Sequence, residues 1–283
     1  MNAPDFDQVI EIIGQIGPMM VAYSGGVDSA LLLKTAHDVL GDRAIAVTAV
    51  SASLAADDRR RAAKVAHWIG ARHIEIETGE LDDPRYAVNP ENRCYFCKSE
   101  LFDRMSSLGR QLGVTAMVYG ANRDDLGDLR PGMDAARKAG VRAPLLEVGL
   151  GKQRIREISR ELGLPTWDLP ARPCLSSRIP HGTAVTVERL GRVERAEDAL
   201  RAEGFRTFRV RYHDEIARLE LGPDEMSRLA DTGLRERLAR AVKAAGFRYV
   251  AVELDGYRQG SLNPEGSALL PIEEGRPRSN RPR

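Results

Sequence analysis

Six residues near the amino terminus, Ser24-Gly25-Gly26-Val27-Asp28-Ser29, combine backbone freedom with oxygen-bearing side chains. They follow the apolar run MMVAY and precede an amphipathic segment from Ser29 to Leu40, so the pattern predicts a strand, a glycine-rich turn and a helix. Such a turn exposes backbone N–H groups at the positive end of a helix dipole, and its glycines let an anion approach the main chain. The six residues therefore predict a phosphate site.

The predicted phosphate site is not a common P-loop. The turn matches neither GxxxxGK[ST] nor GxGxxG, and Lys34 comes too late to act as a P-loop lysine. A purely structural alternative is a tight βα turn in which Asp28 and Ser29 only cap the helix. The stretch SGGVDS resembles the pyrophosphate loop of the ATP alpha-hydrolases, which include GMP synthetase, NAD synthetase, asparagine synthetase and the tRNA thiolation enzymes.

This resemblance implies that the loop holds the β and γ phosphates of ATP while the α phosphate is attacked, with AMP and pyrophosphate as products. Asp28 is expected to help hold Mg²⁺ near the phosphates. The strand from Ala46 to Ser51, which contains Ala49, is expected to supply the adenosine wall by analogy with the fold. The residues expected to contact ATP are Ser24, Gly25, Gly26, Val27, Asp28, Ser29 and Ala49.

Three cysteines are the second chemical feature of the sequence. Cys94 and Cys97 form a CxxC in RCYFCK, just before or within a helix, and Cys174 lies in the proline-flanked stretch ARPCLSSRIPHG. An odd number of cysteines fits a secreted disulfide framework poorly and leaves thiol chemistry or metal ligation open. Three unrelated buried thiols are the structural alternative, because cysteine is often a small core residue.

Two kinds of metal site suit the three thiolates. They can hold a four-iron, four-sulfur cluster and leave one iron without a protein ligand, which could carry an extra sulfide. Zinc is the other candidate, because Cys₃His is an accepted tetrahedral set and His181 follows Cys174 in the chain. A closed zinc site supplies no transferable sulfur.

The amino-terminal half of the chain alternates β-rich runs with helical patterns. This repeated βα rhythm predicts an α/β fold, a parallel sheet with crossover helices. The predicted helices run from Ser29 to Leu40 and from Leu54 to Ile69, each followed by glycine. The predicted strands are PMMVAY and residues 43–50, 72–78 and 115–120.

The rhythm changes after residue 165. Residues 168–183 hold too many prolines and polar residues for a regular element, so we interpret them as a linker that carries a site. The following patterns predict a smaller α+β domain, with helices at 187–203 and 224–245 and strands at 208–212, 217–221 and 248–254. The predicted domains are 1–166 for ATP binding and 167–272 for sulfur transfer and substrate, followed by a disordered tail, 273–283.

Composition limits the partners of this 283-residue chain. Lys plus Arg number 42 and Asp plus Glu number 41, a net charge of +1, so no global field draws the protein to nucleic acid or to a membrane. No apolar run approaches the roughly 20 residues of a membrane span, and the amino terminus does not read as a signal peptide. We expect a cytoplasmic homo-oligomer with a small-molecule nucleotide as substrate.

Six motifs together resemble the LarE sulfur transferase family over nearly the whole chain. They are SGGVDS, RCYFCK, GANRDDLGDLRPG, PARPCLSSRIPHG, the pair of arginines in RVR at 209–211, and GYRQGS at 256–261. Members of that family insert sulfur into pyridinium biscarboxylic acid mononucleotide, a step towards the nickel-pincer nucleotide of lactate racemase. One form of the family sacrifices a single cysteine, which becomes dehydroalanine; the other relays sulfide from a four-iron, four-sulfur cluster held by three cysteines. This sequence carries the three-cysteine set, so the resemblance implies that Cys94, Cys97 and Cys174 hold a four-iron, four-sulfur cluster.

The resemblance implies a two-stage reaction. A substrate carboxylate attacks the α phosphate of ATP to give an acyl-adenylate, and sulfur then displaces AMP to leave a thiocarboxylate. Catalytic roles are implied for Asp28, Cys174, Ser177 and Arg178. The immediate sulfide donor is left open, and Lys98 is interpreted either as a cation that offsets developing charge or as a solvated lysine.

Arg209 and Arg211 alternate on a predicted strand, so both would point to one face and could grip the phosphate of the substrate bidentately. Two solvated arginines on a sheet face are the structural alternative. The resemblance adds Glu197 and Arg258 to the candidate substrate residues.

Other functions remain open on the sequence alone. Cluster-bearing tRNA thiolases also pair a pyrophosphate loop with CxxC and a distant cysteine, and the basic stretch KQRIREISR at 152–160 could contact RNA, although the net charge near zero argues against it. A third interpretation is an amide-forming synthetase with a structural zinc, but no glutaminase-like domain is visible in the sequence. A non-enzymatic nucleotide sensor would leave the three cysteines unexplained.

Overall fold

The computed structural model describes residues 4–127 and 131–258, in which helices and strands alternate through the first half. The α-helices are α1 Pro4–Ile16, α2 Val27–Leu40, α3 Ala56–Ile69, α4 Pro84–Ala87, α5 Arg93–Leu112, α6 Pro131–Lys138, α7 Pro144–Glu147, α8 Lys152–Glu161, α9 Val187–Ala202, α10 Pro223–Met226 and α11 Thr232–Ala244. Short 3₁₀ turns lie at Gly41–Arg43, Glu80–Asp82, Arg123–Gly127, Leu175–Arg178 and Ser227–Ala230.

A parallel sheet forms the amino-terminal half. Its strands are β1 Met19–Ala22, β2 Ala44–Val50, β3 Arg72–Glu77 and β4 Ala116–Tyr119, in the order β3-β2-β1-β4 within the described residues. All four residues of β1 are buried, as expected for a central strand with a cover on both faces. The α/β fold predicted from the sequence is therefore confirmed, and the sheet matches the adenine nucleotide alpha-hydrolase type.

The strand order places the site. The chain proceeds outward from β1 to β2 and β3 and then returns to pair β4 with the other edge of β1. Ligands of open α/β sheets bind outside the carboxyl ends of the strands, at the point where the order reverses. The glycine-rich loop leaves the carboxyl end of β1 at this point.

A small second sheet follows. Strand β5 Phe208–His213 pairs antiparallel with β6 Ile216–Leu221, which pairs in parallel with β7 Tyr249–Val252. A buried apolar cluster joins this sheet to α9 and α11 through side chains such as Val193, Leu219 and Leu238. The predicted helix at 224–245 is wrong as one element: it is divided into α10, a 3₁₀ turn and α11, because Asp231 caps α11 by accepting a hydrogen bond from the Leu234 N–H.

The two halves meet at the predicted linker. The apolar cluster of the second sheet also includes Ala55 and Tyr86 from the first half. The division at 166/167 falls between α8 and the turn Leu175–Arg178, and it stays a prediction. The predicted tail 273–283 lies outside the described residues. No helix within residues 4–127 or 131–258 is long and apolar enough to cross a membrane.

Candidate active site

The glycine-rich loop joins β1 to α2. Gly26 occupies the N-cap position of α2 in an extended conformation, so the helix begins at Val27, two residues earlier than predicted. The Ser29 hydroxyl donates to the Gly26 carbonyl oxygen at 3.2 Å and lies 3.1 Å from the Ser24 hydroxyl. These hydrogen bonds hold both serines against the turn, and the first N–H groups of α2 have no intrahelical acceptor, as at any helix start.

Gly25 is the residue that this turn requires. Its φ of +68° lies in the left-handed region, and a Cβ atom there would stand 2.7 Å from the Cα atom of Ala62 on α3. Any other residue would therefore be strained and would also clash with helix backbone. The predicted succession of strand, glycine-rich turn and helix is confirmed in this geometry.

Asp28 lies on the first turn of α2 and has two polar partners. Its Oδ2 atom accepts from the Lys152 ammonium at 2.5 Å, and its Oδ1 atom accepts from the Asn122 side-chain amide at 3.3 Å. Gly120 allows the segment after β4 to come this close, because a Cβ atom there would lie 2.9 Å from the Ser29 nitrogen. The GANRDD stretch thus reaches the phosphate loop through Gly120 and Asn122.

Ala49 lies near the carboxyl end of β2, opposite Ile76 of β3, and is half-buried. Two residues on, the Ser51 hydroxyl donates to the Glu80 carboxylate at 2.5 Å, and the Ser53 hydroxyl donates to the same oxygen at 2.6 Å. The predicted nucleotide wall is therefore followed directly by a polar cluster around the buried Glu80.

The CxxC pair lies on the first turns of α5, which begins at Arg93, and Cys174 directly precedes the turn Leu175–Arg178. All three thiols are free; Cys94 and Cys174 are exposed and Cys97 is partly exposed. The CxxC therefore lies within a helix, and the linker that carries Cys174 contains only a short 3₁₀ turn, as the sequence predicts.

Hydrogen bonds bring the Cys174 linker to α5. The Arg93 guanidinium donates to the Ser176 carbonyl oxygen at 3.0 Å, and the Tyr86 and Ser176 hydroxyls are 2.7 Å apart. Directly after Cys174, the Leu175 N–H donates to the Ser53 carbonyl oxygen at 2.9 Å. The linker is therefore held between the start of α5 and the segment that follows β2.

The three thiols share one electrostatic environment. Burial raises the pKa of the Cys97 thiol to about 12, and the Glu80 carboxylate and the other two thiols add to this rise. Burial also raises the pKa of Cys94, with Cys174 as the next cause. Cys94 keeps some solvent-accessible surface, so partial rather than complete burial raises its pKa.

The Arg93 guanidinium lies within electrostatic range of all three thiols. Burial opposes the charge of Arg93, yet the nearby thiols Cys174, Cys94 and Cys97, together with Tyr86, hold its pKa above the usual value. Lys98 lowers the pKa of both CxxC thiols, so it lies within electrostatic range of them. These two cations offset part of the rise in the thiol pKa values, and their charge would stabilise the thiolate form that binds metal.

The three thiols are the donor set that a metal centre at this place could use. Among the described residues, no three His, Cys, Asp or Glu side chains converge closely enough to hold one metal ion, so His181 does not complete a preformed zinc site. A four-iron cluster spaces its thiolates more widely than one ion does. Three mutually interacting thiols beside Arg93 therefore fit such a cluster in number, chemistry and charge.

Three buried arginines hold the linker: Arg178 from within the linker itself, and Arg209 and Arg211 from β5 of the second sheet. Arg178 donates to the Pro173 carbonyl oxygen and, at 3.0 Å, to that of Cys174. Arg211 donates to the Ser177 carbonyl oxygen at 2.8 Å, and Arg209 donates to that of Ala171. The expected alternative of solvated arginines at 209 and 211 is wrong, because both are 5% exposed or less.

Buried carboxylates accompany these arginines. Glu197 on α9 pairs with Arg178 at 2.8 Å; burial alone would raise the pKa of this carboxyl, but Arg178 and Arg209 hold it below the usual value. Glu220 on β6 pairs with Arg211 at 2.8 Å. Burial and the neighbouring Arg178 lower the pKa of Arg209 to about 10. The second sheet thus presents a charged, buried lining to the cysteine linker.

Two predicted residues occupy different positions. The Ser177 hydroxyl donates to the Cys174 carbonyl oxygen at 2.8 Å, so it is in place next to the third cysteine. Arg258 pairs with Asp255 at 2.9 Å on the surface, and each side chain is almost two-thirds exposed. Arg258 therefore differs from the other three candidate substrate residues, which are buried.

A chain of ion pairs connects the phosphate loop to the linker. The Arg61 guanidinium donates to the Gly25 carbonyl oxygen at 3.4 Å and pairs with Asp58 at 2.6 Å. Arg172, two residues before Cys174, pairs with Asp58 and with Asp57, each at 3.0 Å. The end of α3 nearest the phosphate loop therefore also anchors the cysteine linker.

Sequence reasoning missed several of these residues. Arg172 lies inside the quoted linker motif and Asn122 inside GANRDD, so position within a motif was an available signal. For Glu220 the sequence offered no signal beyond its place in a predicted strand. Lys152 lies in the basic stretch 152–160, which the sequence offered only as a possible RNA contact of the alternative tRNA thiolase. In the structure Lys152 pairs with Asp28, and Arg154 pairs with Asp5 at 2.9 Å. Arg156 donates to the carbonyl oxygens of Trp167 and Leu169.

Comparisons with known proteins agree with this architecture. The asparagine synthase family matches residues 16–88, which contain the phosphate loop and β1 to β3. The pyridinium-3,5-bisthiocarboxylic acid mononucleotide synthase of Lactiplantibacillus plantarum is 37% identical over 245 residues, 86% of this chain and 88% of that protein. The uncharacterized protein slr1717 of Synechocystis is 47% identical over 89% of this chain and 94% of its own length.

A more distant relative, the uncharacterized protein MJ0830 of Methanocaldococcus jannaschii, is 26% identical over 85% of this chain and 90% of its own length. The match to the Lactiplantibacillus synthase covers 86% of this chain, so it must extend through the cysteine linker and into β5 and β6 of the second sheet. This chain is thus an ATP-using enzyme of the pyrophosphate-loop type and belongs to the LarE family.

Proposed function

We propose that this protein is an ATP-dependent sulfur transferase that converts a carboxylate of pyridinium biscarboxylic acid mononucleotide into a thiocarboxylate. The observation that carries the proposal is the joint anchoring of two reactive segments on α3: the Arg61–Asp58–Arg172 ion pairs connect the phosphate loop to the segment that bears Cys174. An enzyme that activates a carboxylate with ATP and then attacks it with sulfur needs both segments at one place.

The first half of the reaction is adenylation. The substrate carboxylate attacks the α phosphate of ATP, the bond between the α phosphorus and the bridging oxygen breaks, and pyrophosphate leaves with the electron pair. The loop N–H groups at the start of α2 bind the β and γ phosphates. Asp28, whose carboxylate is partly exposed at the loop, would hold Mg²⁺, which neutralises phosphate charge.

The second half is displacement of AMP by sulfur. Cys94, Cys97 and Cys174 would hold a four-iron, four-sulfur cluster, which when bound supplies sulfide at the iron that has no protein ligand. The residues around it act directly: Arg93 keeps positive charge beside the three thiols. Ser177 and Arg178 both donate hydrogen bonds to the Cys174 carbonyl oxygen and so fix the backbone at that residue.

Arg209, Arg211 and Glu197 form the proposed wall of the substrate site. Because their charges are buried beside the linker, an anionic substrate group that reaches them would meet guanidinium groups in a region of low dielectric. The product would be an intermediate on the route to the nickel-pincer nucleotide of lactate racemase. The contacts of Arg154 and Arg156 within the protein favour this small-molecule substrate over tRNA.

The testing experiment supplies ATP, Mg²⁺ and the pyridinium mononucleotide to anaerobically purified protein and measures AMP, pyrophosphate and the mass of the substrate. We expect AMP and pyrophosphate in equal amounts, only when the mononucleotide is present, and a mass gain equal to replacement of oxygen by sulfur. Asp28→Ala should abolish pyrophosphate release, because the variant removes a charge near Mg²⁺. It should leave the iron and sulfide content unchanged, because Asp28 is not among the residues that would hold the cluster. Asp38→Ala is the matched control on the same helix, since Asp38 pairs with Lys34 away from the loop.

ADP and phosphate as products, or normal pyrophosphate release by the Asp28 variant, would contradict the proposal. Product analysis also separates the alternatives: an amide-forming synthetase would consume ammonia and leave sulfur unused, and a tRNA thiolase would release pyrophosphate in response to tRNA rather than to the mononucleotide.

A further inference from the structure

The proposed phosphate loop lacks the lysine that P-loop enzymes place within the loop itself. Lys152 supplies a cation to the same place from elsewhere in the chain. Its ammonium lies 2.5 Å from Asp28, which is 124 residues away in sequence and on the first turn of α2. A positive charge is therefore present where the anion-binding end of that helix begins.

The backbone holds Lys152 in this position. Lys152 is the first residue of α8, and its N–H donates to the Asp124 carboxylate at 2.8 Å. The Asp124 N–H donates to the side-chain oxygen of Asn122. The side-chain amide of Asn122 in turn donates to Asp28. Lys152 and Asn122 thus approach one carboxylate from two connected segments, so the position of the lysine is set by the fold.

The pair of Lys152 and Asp28 is suited to exchange of partners. The two side chains are 33% and 20% exposed, and ion pairs with this much solvent contact are weak. A lysine ammonium is a compact charge on a flexible stem that redirects without moving backbone. Lys152 also lines a cleft of about 310 Å³ whose other charged residues are Arg123, Arg154, Asp124 and Glu157, so its side chain can be reached from solvent.

Resting on the proposed function, we propose that Lys152 is the pyrophosphate-binding residue of this enzyme: when ATP occupies the loop, its ammonium leaves Asp28 and donates to the β or γ phosphate oxygens. During adenylation the α phosphorus loses its bond to the bridging oxygen, and pyrophosphate takes the electron pair. Lys152 stabilises that added negative charge by hydrogen bonding and keeps its proton. The loop N–H groups and the lysine then hold the leaving group from two sides.

The test measures binding of inorganic pyrophosphate to the full-length protein by calorimetry, together with kcat and KM for ATP in pyrophosphate release. Lys152→Ala should weaken pyrophosphate binding at least about 10-fold, because a charge-assisted hydrogen bond is lost. The same variant should lower kcat more than it raises the KM for ATP, and Lys152→Arg should recover part of both. Lys34→Ala is the matched control, a lysine on α2 that pairs with Asp38, and should bind pyrophosphate as the unaltered protein does.

A measurement on the unaltered protein requires no variant. Pyrophosphate should protect Lys152 from acetylation in a mass-spectrometric labelling experiment and leave labelling of Lys34 unchanged. Unchanged pyrophosphate affinity and kcat in Lys152→Ala, or labelling of Lys152 that pyrophosphate does not slow, would overturn the inference. If the unaltered protein binds pyrophosphate through Lys152 yet releases none in response to the mononucleotide, the substrate proposal fails and the assignment of Lys152 stands.

Discussion

Arg178 and Glu197 form an ion pair at 2.8 Å in which each side chain is 3% exposed. The pair joins the turn after Cys174 to α9, and Glu197 also accepts from the Val210 N–H of β5. The cysteine linker is thus connected to the core of the second sheet through buried charge. Because a buried charge is costly when its partner is removed, this contact gives the first prediction.

Glu197→Ala should destabilise the fold by about 3–5 kcal/mol, since it leaves the Arg178 guanidinium buried without its carboxylate. Urea unfolding followed by circular dichroism measures this loss. Glu188→Ala is the control on the same helix: it pairs with Arg192 at 2.7 Å but is 72% exposed, so its removal should change stability by less than about 1 kcal/mol. Equal effects of the two variants would show that the Arg178–Glu197 pair is not a structural link.

A second prediction concerns the substrate. Arg211→Lys should raise the KM for the pyridinium mononucleotide far more than the KM for ATP, because lysine keeps the charge but loses the planar fork that can bind a phosphate bidentately. A buried charge-assisted contact contributes about 1.5–3 kcal/mol, so we expect a rise of roughly 10- to 150-fold.

Arg218→Lys is the control for that measurement. Arg218 lies opposite Arg211 on the neighbouring strand and shares Glu220 with it, but its side chain is 24% exposed and also pairs with Glu253. Similar changes in the KM values for both ligands in Arg211→Lys would mean that Arg211 is structural or serves ATP instead.

The third prediction separates the two chemistries of the family. If the three thiolates hold a cluster, then Cys94→Ala, Cys97→Ala and Cys174→Ala should each lose iron, acid-labile sulfide and brown colour together with sulfur transfer, while adenylation persists. The anaerobically purified protein should complete more than one turnover per chain when sulfide and reductant are supplied. Iron and sulfide analysis and single-turnover assays measure these outcomes.

Dehydroalanine at Cys174 after reaction, in a protein whose Cys94→Ala variant remains active, would instead identify the sacrificial chemistry. The position of Arg93 beside all three thiols favours the first outcome, because a cation at that position offsets the charge of three thiolates.

A pH dependence follows from Cys97 in the metal-free protein. An unfolded cysteine titrates near about 8.5, whereas burial and Glu80 raise the pKa of Cys97 to about 12. The folded state therefore retains the proton, and the stability that this retention provides is complete below about pH 8.5 and is lost as the pH rises towards 12.

Alkylation by iodoacetamide at pH 8.5 measures the thiolate. Folded Cys97 should react at least about 100-fold more slowly than the same residue in urea, since only the thiolate is nucleophilic, and the rate should rise with pH up to 9.5. Solvent-exposed Cys174 in the same digest is the internal control. Equal rates for Cys97 in the folded and unfolded protein would contradict the raised pKa.

The fifth prediction tests the connection through α3. Arg172→Ala should slow sulfur transfer by about 10-fold or more while adenylation changes little, because the variant frees the linker beside Cys174 from Asp57 and Asp58 without touching the phosphate loop. Arg172→Lys should recover the rate only in part, since one ammonium cannot match the fork that contacts two carboxylates. Arg60→Ala is the control, because Arg60 also contacts Asp57 but is 70% exposed. Parallel losses of both half-reactions in Arg172→Ala would show a general structural role.

The sequence by itself determined the elements and the reactive groups. Period-two and period-3.6 patterns depend on neighbours in the chain, so β1 to β4 and α2 and α3 were predicted within two residues of their observed bounds. The phosphate loop and the CxxC are short motifs whose chemistry depends on local spacing, so both were assigned in advance. The error at 224–245 had a local cause as well, because the capping role of Asp231 was not recognised in a helical pattern.

Only the tertiary structure decided what these groups contact. The fold brings Lys152 to Asp28, Arg172 to Asp58 and Arg93 to Ser176, and the members of each pair are far apart in the chain. No periodicity records such pairs, since a charged residue has the same local pattern whether it meets solvent or a buried carboxylate. Burial likewise separated Arg209 and Arg211 from Arg258, although all three were candidate substrate residues. Long-range packing sets both the partner and the dielectric of each charge, and the chemistry of the site depends on both.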